Sequence, residues 1–230
     1  MNESEFDRFA GEYQEMHAAN IRASGEGPEF FARYKIEDVA DLLGDRAQQR
    51  LRMLDFGAGV GNSIPHVRAL LPRACLICLD VSRKSLAVGR RRYPGQADFV
   101  VFDGRVLPFP DDTFDLVFSA CVFHHIPHGE HRSLLQELRR VLRPGARCII
   151  FEHNPLNPLT VRAVSTCPFD ENAVLINATH FSRRFREAGF EEVTHCFRIF
   201  FPGMLRRLRF LEPHLTWLPL GAQYYVAGRK

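Results

Sequence analysis

The sequence lacks any long apolar run. None of its uninterrupted apolar stretches approaches the roughly 20 residues that a membrane-spanning helix needs. Its amino terminus is polar and acidic and has no apolar segment of the kind that signal peptides carry. The formal net charge is only +3, too small a surplus to indicate a nucleic-acid partner. These absences predict a cytoplasmic protein that does not bind nucleic acid.

The cysteines do not form the pattern of a zinc site or a redox centre. Only Cys75 and Cys78 are separated by two residues, and no second pair of this kind exists among the 6 cysteines. Residues three apart in a strand point to opposite faces of the sheet, so this pair is not arranged to share a ligand. We therefore predict free thiols, most of them buried in apolar strands.

Strand-like and helical patterns alternate along the chain. Its 230 residues, of which 46% are hydrophobic, suffice for one α/β domain with a sizeable core. Alternation of this kind predicts an open, doubly wound parallel sheet. The predicted strands are residues 51–56, 75–80, 99–102, 114–118, 146–151, 193–201 and 223–227. The clearest predicted helices are residues 30–43, 131–142 and 179–188.

A glycine-rich turn follows the first predicted strand. Asp55 lies within that strand, and Gly57, Gly59 and Gly61 alternate after it. Glycine permits positive φ and lets a ligand lie against bare backbone. A dinucleotide fingerprint would place its third glycine one residue later, where this chain has Asn62. The simplest alternative is an ordinary glycine-rich turn between a strand and a helix.

Polar residues stand at the carboxyl ends of the predicted apolar strands. These ends form the edge of a doubly wound sheet at which ligands bind. Asp80 comes about 20 residues after the glycine turn, and its two oxygens match the two hydroxyls of a ribose. Asp103 and the Gly104 amide are suited to read the amino edge of adenine. The full set of strand-end residues is Asp55, Asp80, Asp103, Ser119 and Glu152.

Several motifs in order carry a family resemblance. The pattern Asp55-x-Gly57-x-Gly59-x-Gly61 resembles motif I of class I S-adenosylmethionine-dependent methyltransferases. Residues 103–117, 121–127 and 138–145 continue the resemblance to the small-molecule group that includes quinone-biosynthesis enzymes. It covers roughly residues 50–153. The opening Phe6-Asp7-Arg8-Phe9-Ala10, with Tyr13 downstream, also resembles many small-molecule methyltransferases.

The resemblance implies a mostly parallel seven-stranded sheet with helices on both faces and an antiparallel last strand. It implies a single domain over residues 1–230: an N-terminal helical lid (1–45), a donor-binding core (50–153), and an acceptor-side part with the closing strands (154–230). A pair of helices packed on the sheet is the alternative to the lid. The implied cofactor is S-adenosylmethionine. Its predicted binding residues are Tyr13, Asp55, Gly57, Ala58, Gly59, Asn62, Asp80, Val81, Asp103, Gly104, Arg105, Ser119, Ala120 and His125. Ala58 departs from the family, in which a cysteine is common at that position.

The predicted activity is methyl transfer to a small-molecule or lipid-like acceptor, with O-methylation favoured over C- or N-methylation. His124, His153 and Glu152 are the candidate catalytic residues, because a protonated acceptor needs a base. The alternatives are a nicotinamide-dependent oxidoreductase and a non-catalytic donor-binding scaffold. A metal site among His124, His125, His128 and His131 is disfavoured because few acids lie nearby in sequence.

The segment of residues 200–220 is rich in large apolar residues, with Arg206, Arg207 and Arg209 interleaved. One interpretation is that these residues close the core. The other is an apolar acceptor wall that makes weak peripheral contact with a membrane, its arginines facing anionic headgroups. The sequence does not indicate an oligomeric state.

Overall fold

The computed structural model describes residues 24–230, except the side chain at position 169. The seven strands are β1 (Arg52–Phe56), β2 (Cys75–Asp80), β3 (Asp98–Val101), β4 (Phe114–Ala120), β5 (Leu142–His153), β6 (Glu191–Arg198) and β7 (Gln223–Arg229). The α-helices of the described chain are α1 (Pro28–Leu43), α2 (Ile64–Leu70), α3 (Arg83–Arg92), α4 (His131–Val141), α5 (Pro158–Ser165), α6 (Ala178–Glu187) and α7 (Glu212–Leu215). Short 3₁₀ helices cover Gly44–Gln48, Phe123–His125, Pro168–Asp170 and Gly203–Leu211. The predicted role of Tyr13 and the first part of the predicted lid lie outside the described residues.

The strands form one sheet in the order β3-β2-β1-β4-β5-β7-β6. Neighbouring strands are parallel except at β7, which is antiparallel to both β5 and β6. This confirms the predicted mostly parallel sheet with an antiparallel last strand. The strand order reverses between β1 and β4, and ligands bind at such a reversal in open α/β sheets.

Side chains that alternate along each strand supply two cores, one on each face of the sheet. Leu54 and Phe56 of β1 lie on the face covered by α4 and α6, whereas Met53 lies on the face covered by α1, α2 and α3. The residues that α1 contributes, Ile36 and Val39, are fully buried. Helix α1 therefore packs on the sheet.

Strand β5 begins earlier than the sequence indicates. It was expected from residue 146, but Leu142 already pairs with Phe114 of β4 directly after α4 ends. The pairing shifts register between Phe114 and Leu116, and Gly145 adopts a positive φ of 77° beside that irregularity. A glycine tolerates this conformation, so the strand continues through Arg143, Pro144 and Gly145.

All six cysteines are free, as predicted, but only half of them are buried. Cys78, Cys148 and Cys167 are buried, whereas Cys75 is exposed at the start of β2. Burial raises the pKa of the Cys148 thiol, which keeps it protonated and unreactive. Within residues 24–230, no helix combines the length and the apolar character required to span a bilayer.

The core-closing interpretation of residues 200–220 is wrong for most of the segment. The 3₁₀ helix Gly203–Leu211 contains no buried residue, and Met204 is 94% exposed. Phe200 does pack against the core, but most of the large apolar side chains after it are exposed. Arg209 and Glu212 instead take half-buried positions, as described below.

Candidate active site

The glycine turn lies at the end of β1, and its three glycines serve different purposes. All three have positive φ, between 53° and 79°. A Cβ at Gly57 would lie 2.3 Å from Val122, and one at Gly61 would lie 2.6 Å from Ile64, so these two positions are required for close packing. A Cβ at Gly59 would meet no atom within 4 Å. The turn therefore presents bare backbone to open space at Gly59.

Asp80 holds this turn from the neighbouring strand. The Gly59 N–H donates to its Oδ2 and the Ser82 N–H donates to its Oδ1, each over 2.8 Å. Each carboxylate oxygen has a second lone pair, so Asp80 can also accept from a ligand diol. Val81, which follows Asp80, is buried, and Asn62 is half-buried at the far end of the turn.

Asp55 and Ser119 lie beneath the turn rather than on its surface. The Asp55 carboxylate is 3% exposed and accepts a hydrogen bond from the Ser63 hydroxyl. Burial and the nearby Asp80 charge raise the pKa of Asp55 to about 7, although the bond from Ser63 opposes the shift. The Ser119 hydroxyl is fully buried and donates to the Phe56 carbonyl over 2.8 Å. Both side chains thus form hydrogen bonds to other residues of the protein.

Asp103 stands at the end of β3, on the surface. Its Oδ1 accepts from the Arg105 N–H at 2.8 Å and from the Val106 N–H at 3.1 Å, and these bonds lower the pKa of the carboxyl. The adjacent Gly104 has a φ of 83°. Asp103 is therefore charged, and the outer oxygen of its carboxylate is positioned by a local turn.

The predicted catalytic residues Glu152 and His124 form a buried pair at the ends of β5 and β4. Glu152 Oε2 lies 2.7 Å from His124 Nδ1, and both side chains are 1% exposed. Glu152 Oε1 accepts from the N–H groups of Val122 at 3.0 Å and Phe123 at 2.7 Å. One carboxylate thus holds both the backbone after β4 and the orientation of the imidazole.

Asp170 completes this cluster from a segment distant in sequence. Its Oδ1 lies 3.4 Å from Nε2 of both His124 and His125. The sequence analysis did not connect Asp170 with the histidines, because no spacing signal links residues more than 40 positions apart.

His153 belongs to a second, adjoining set of contacts. Its ring lies 5.2 Å from that of His124, and its Nδ1 lies 3.3 Å from the side-chain nitrogen of Gln223. The other end of the Gln223 amide accepts from the Tyr34 hydroxyl. Tyr34 and Gln223 are buried and were not predicted as site residues. Ala120 ends β4, and Cys121, which follows it with an unusual φ of 58°, has its Sγ 3.7 Å from the Gln223 side-chain nitrogen.

The histidines of the site differ in protonation. Burial alone would lower the pKa of His124, but Glu152 and Asp170 overcome it and raise the pKa to about 10. Burial and the positive charge of His124 lower the pKa of His153 to about 4, and the same causes lower that of His125 to about 4. At neutral pH the site therefore holds one imidazolium beside two neutral imidazoles.

The remaining two histidines of the sequence cluster bind backbone carbonyls. His131 is fully buried with Nε2 2.9 Å from the Ile126 oxygen, and His128 Nε2 lies 3.2 Å from the Val174 oxygen. A different set has metal-compatible spacing: one donor atom each of His124, His125 and Asp170 lie within 4.8 Å of one another.

A cavity of about 630 Å³ opens beside this cluster, between α5 and the segment of residues 168–175. Its lining is mixed: the apolar residues Val161, Val164 and Leu175 lie beside the polar residues Ser165, Thr166, Asp170 and Glu171. Asp170 connects the cavity with the buried cluster, because its carboxylate also lies 3.4 Å from His124 and His125. Apolar walls with convergent polar groups are usual for a small-molecule site.

The sheet order, the bare glycine turn and the acid at the end of β2 together define the fold and donor side of a class I methyltransferase. Comparisons with known proteins agree. A family model described as "Methyltransferase domain" matches residues 54–150. The chain is 32% identical over 171 residues to the ubiquinone/menaquinone biosynthesis C-methyltransferase UbiE of Pseudomonas fluorescens, covering 71% of this chain and 62% of that protein. It is 40% identical over 127 residues to the demethylmenaquinone methyltransferase of Clavibacter sepedonicus, covering 54% of this chain and 48% of that protein.

Solved structures show the same fold at lower identity. A SAM-dependent methyltransferase from Thermotoga maritima has a TM-score of 0.69 at 18% identity, covering 99% of both chains. Phosphoethanolamine N-methyltransferase 2 of Haemonchus contortus, in complex with S-adenosyl-L-methionine, has a TM-score of 0.67 at 18% identity, covering 98% of this chain and 60% of that one. The chain has the fold of the class I S-adenosylmethionine-dependent methyltransferases and resembles their quinone-biosynthesis group. It spans 62% of the length of the first of these curated relatives.

Proposed function

We propose that the chain transfers a methyl group from S-adenosylmethionine to a ring carbon of a phenolic, lipid-like acceptor of the quinone-precursor type. The names of the curated relatives support the acceptor class. The sequence analysis favoured oxygen as the methylated atom. Both reactions begin with removal of the phenol proton, because a phenolate shares its charge between its oxygen and the ortho and para ring carbons. Methylation at carbon also requires loss of the ring hydrogen from the methylated carbon, which restores the aromatic ring as the oxygen regains a proton. The name of the relative from Pseudomonas fluorescens favours carbon as the methylated atom, and identification of the product decides between carbon and oxygen.

One observation carries the proposal: a neutral histidine, His153, stands beside a charged histidine–carboxylate cluster at the edge of the sheet that also holds the glycine turn. S-Adenosylmethionine supplies a sulfonium-bound methyl group, whose transfer depends mainly on alignment of the two reactants. The protein must therefore hold the donor, orient the acceptor and take up a proton. Each task has residues at this edge.

Donor binding is assigned to the turn after β1 and the acids that follow β2 and β3. Gly59 provides backbone without a side chain, Asp80 accepts from the ribose hydroxyls, and Asp103 reads adenine together with Gly104. The open space at Gly59 supports this assignment, since a side chain there would occupy it. Asp55 acts indirectly, by fixing the turn through Ser63.

The proton acceptor is assigned to His153 rather than His124. A base must be unprotonated at rest, and the pKa of His153 is lowered to about 4 while that of His124 is raised to about 10. The Gln223 nitrogen donates to His153 Nδ1, which leaves the ring hydrogen on Nε2. Rotation of the Gln223 amide would present its oxygen instead and free Nε2 to accept a proton. Gln223 is therefore assigned as the residue that sets the tautomer of His153.

His124 is assigned an electrostatic role. Its imidazolium lies between Glu152 and Asp170, and it stabilises negative charge on both. Asp170 in turn lines the cavity proposed for the acceptor. Replacement of His124 is therefore expected to disturb the site as a whole, whereas replacement of His153 removes a single chemical function.

The test is a labelled-donor assay with phenolic acceptors, a naphthohydroquinone with and without a prenyl tail, and with a simple amine as the contrasting class. We expect label in the phenolic product on carbon, located by mass spectrometry and NMR. Turnover of His153→Gln should fall roughly 10²–10⁴-fold with donor binding unchanged. His195→Gln is the matched control, because His195 is half-buried on the edge strand β6, where its Nδ1 lies 3.1 Å from the Ser182 hydroxyl.

Each outcome separates the hypotheses. Label on oxygen would support the enzyme but move the attacked atom. Label in the amine alone would refute the phenolic class. Donor binding without any labelled product from this panel would favour the non-catalytic scaffold.

A further inference from the structure

Most large apolar side chains of the connection between β6 and β7 are exposed, whereas Arg209 and Glu212 are half-buried. Met204 is 94% exposed, Phe210 is 71% exposed and Trp217 is 74% exposed. Leu205, Leu208, Leu211 and Leu220 are exposed on the same connection. This reverses the usual arrangement of a surface segment, in which apolar residues face the core.

Polar contacts fix the connection in this orientation. The Arg209 guanidinium donates to Glu26 at 2.8 Å and to the Phe201 carbonyl at 3.1 Å, and it lies 4.5 Å from the centre of the Phe30 ring. The Glu212 carboxylate accepts from the N–H groups of Phe200 and Phe201, each at 3.1 Å. Turning the apolar side chains inward would break these bonds, so the apolar face stays outward.

The exposed face is large enough to mark an interaction site. Phe210 and Trp217 alone expose on the order of 300 Å², given side-chain areas of about 150–250 Å². Leu156 lies beside Trp217 along a shared groove and is 56% exposed. Apolar patches larger than a few hundred Å² usually mark contact with a protein, a ligand or a membrane.

The charge of the surface distinguishes among a protein, a ligand and a membrane as its partner. Arg206 and Arg207 are exposed among the apolar residues. The only acid in residues 200–220 is Glu212, and its carboxylate is directed to backbone N–H groups. The outward surface of the connection is therefore apolar and positive. This combination fits an interfacial surface that inserts apolar side chains among lipids and places cations near anionic headgroups.

The face also lies on the acceptor side of the molecule. The connection leads into Gln223, the first residue of β7, which contacts His153. Helix α5 joins the two regions: Asn157, its N-cap, donates to the Leu220 carbonyl at 2.7 Å, while Val161 lines the cavity next to Asp170. Leu159 of the same helix is 71% exposed. Apolar surface therefore continues from the connection to the proposed acceptor cavity.

We propose that this face, comprising Met204, Arg206, Arg207, Phe210 and Trp217, docks the protein reversibly on an anionic lipid membrane. The inference that docking delivers the acceptor rests on the proposed function, because it requires a lipid-like acceptor. Docking itself requires only the exposed side chains. The prolines at positions 202, 213 and 219 keep the helical turns short, so attachment is shallow and depends on salt.

Trp217 provides a direct measurement, because it is the only tryptophan of the chain. Its emission should shift to shorter wavelength with vesicles containing phosphatidylglycerol and stay unchanged with pure phosphatidylcholine vesicles. Flotation should show the same preference, and binding should weaken as salt increases. Because each arginine near an anionic surface strengthens binding by a factor of about five, Arg206→Ala/Arg207→Ala should weaken it about 30-fold. Met204→Gln/Phe210→Gln should also reduce binding.

Arg83→Ala/Arg91→Ala is the matched control. It removes two exposed arginines from α3, beside β2 and β3 at the opposite end of the sheet, and should leave binding unchanged. Failure to bind anionic vesicles at low salt, equal binding to neutral vesicles, or equal loss in the control would each overturn the proposal. A dimer that Met204→Gln/Phe210→Gln makes monomeric, with no vesicle binding, would instead identify the face as a contact between copies.

Vesicle binding is measured without donor or acceptor, so it remains informative if the proposed methylation fails. Conversely, methylation of a detergent-dispersed acceptor by a protein that does not bind vesicles would refute only the membrane proposal. If both proposals are correct, Met204→Gln/Phe210→Gln should lower turnover of a vesicle-embedded acceptor while retaining that of a dispersed one.

Discussion

Replacing Glu152 by glutamine tests the buried cluster most directly. Glutamine keeps an oxygen that can accept from Val122 and Phe123, as Glu152 Oε1 does over 3.0 and 2.7 Å. It cannot provide the carboxylate that pairs with His124 at 2.7 Å. The substitution therefore removes the ion pair while preserving the size of the side chain and its backbone contacts.

The expected loss of stability follows from burial. Both members of the pair are 1% exposed, so water does not compensate for the missing charge. Removing one member of a buried pair typically costs about 3–5 kcal/mol, and the retained backbone bonds place Glu152→Gln near 3 kcal/mol. Glu137→Gln is the control: its carboxylate also accepts a backbone N–H, from Leu107, but its pair with Arg140 is partly exposed. That pair should contribute at most about 1 kcal/mol.

The pH dependence of stability provides an independent test of the buried ion pair. The pKa of His124 is raised from 6.5 to about 10, so its contribution to stability is fully present below pH 6.5 and is lost as the pH rises through about 10. The pKa of Glu152 is lowered from 4.5, so its contribution is present above that pH and is lost as the pH falls below it. The difference in the free energy of unfolding between wild type and Glu152→Gln should therefore be largest near pH 6.5 and should shrink as the pH approaches 10.

Urea unfolding at pH 6.5, 8 and 9.5 measures this difference, and titrations common to both proteins cancel from it. A loss below 1 kcal/mol, or a difference that does not change between pH 6.5 and 9.5, would refute the account of the cluster. A loss equal to that of Glu137→Gln would show that burial of the pair contributes nothing specific.

Three further predictions concern the donor and the metal. Asp80→Ala should weaken binding of S-adenosylmethionine by roughly 1.5–3 kcal/mol in calorimetry, the scale of a charge-assisted hydrogen bond, and wild type should not bind NADH; tight NADH binding without donor binding would contradict the site. Gly57→Ala and Gly59→Ala both strain a backbone of positive φ, but Gly57→Ala should lower stability by roughly 1–3 kcal/mol more, because only its Cβ meets Val122 at 2.3 Å, whereas Gly59→Ala should also weaken donor binding; equal losses of stability would refute the distinction. Chelation should leave turnover unchanged, since His124 is protonated between two carboxylates; loss restored by a divalent ion would instead make His124 a metal ligand.

The donor side was predictable because its residues are local in sequence. A strand, a glycine turn and a helix place Asp55 and the glycines by short-range geometry alone, and parallel strands bring Asp80 and Asp103 to the same edge. The sequence pattern did not reveal that the residues of the turn have different roles. Asp55 is directed to Ser63, and only Gly59 of the three alternating glycines faces open space.

The acceptor side was less predictable because its contacts join distant residues. Tyr34 and Gln223 are separated by 189 positions, and no periodicity relates them. Asp170 carries no signal in sequence that distinguishes it from an ordinary turn residue. The two candidate bases were also equivalent in sequence, since both follow strands; their protonation differs only because the folded chain places carboxylates on His124 and a positive charge beside His153.

The reversed strand β7 explains why the proton-transfer residues and the apolar face occur together. Strand β6 runs parallel to the first five strands and therefore ends at the ligand-binding edge of the sheet. Because β7 is antiparallel to β6, it begins at that same edge, and residues 199–222 need not cross the sheet. A parallel β7 would have required that connection to return to the opposite edge. Because β7 lies antiparallel between β5 and β6, its first residue, Gln223, contacts His153. The connection that precedes β7 remains on the surface of the acceptor side, where a docking face can deliver an acceptor to the site.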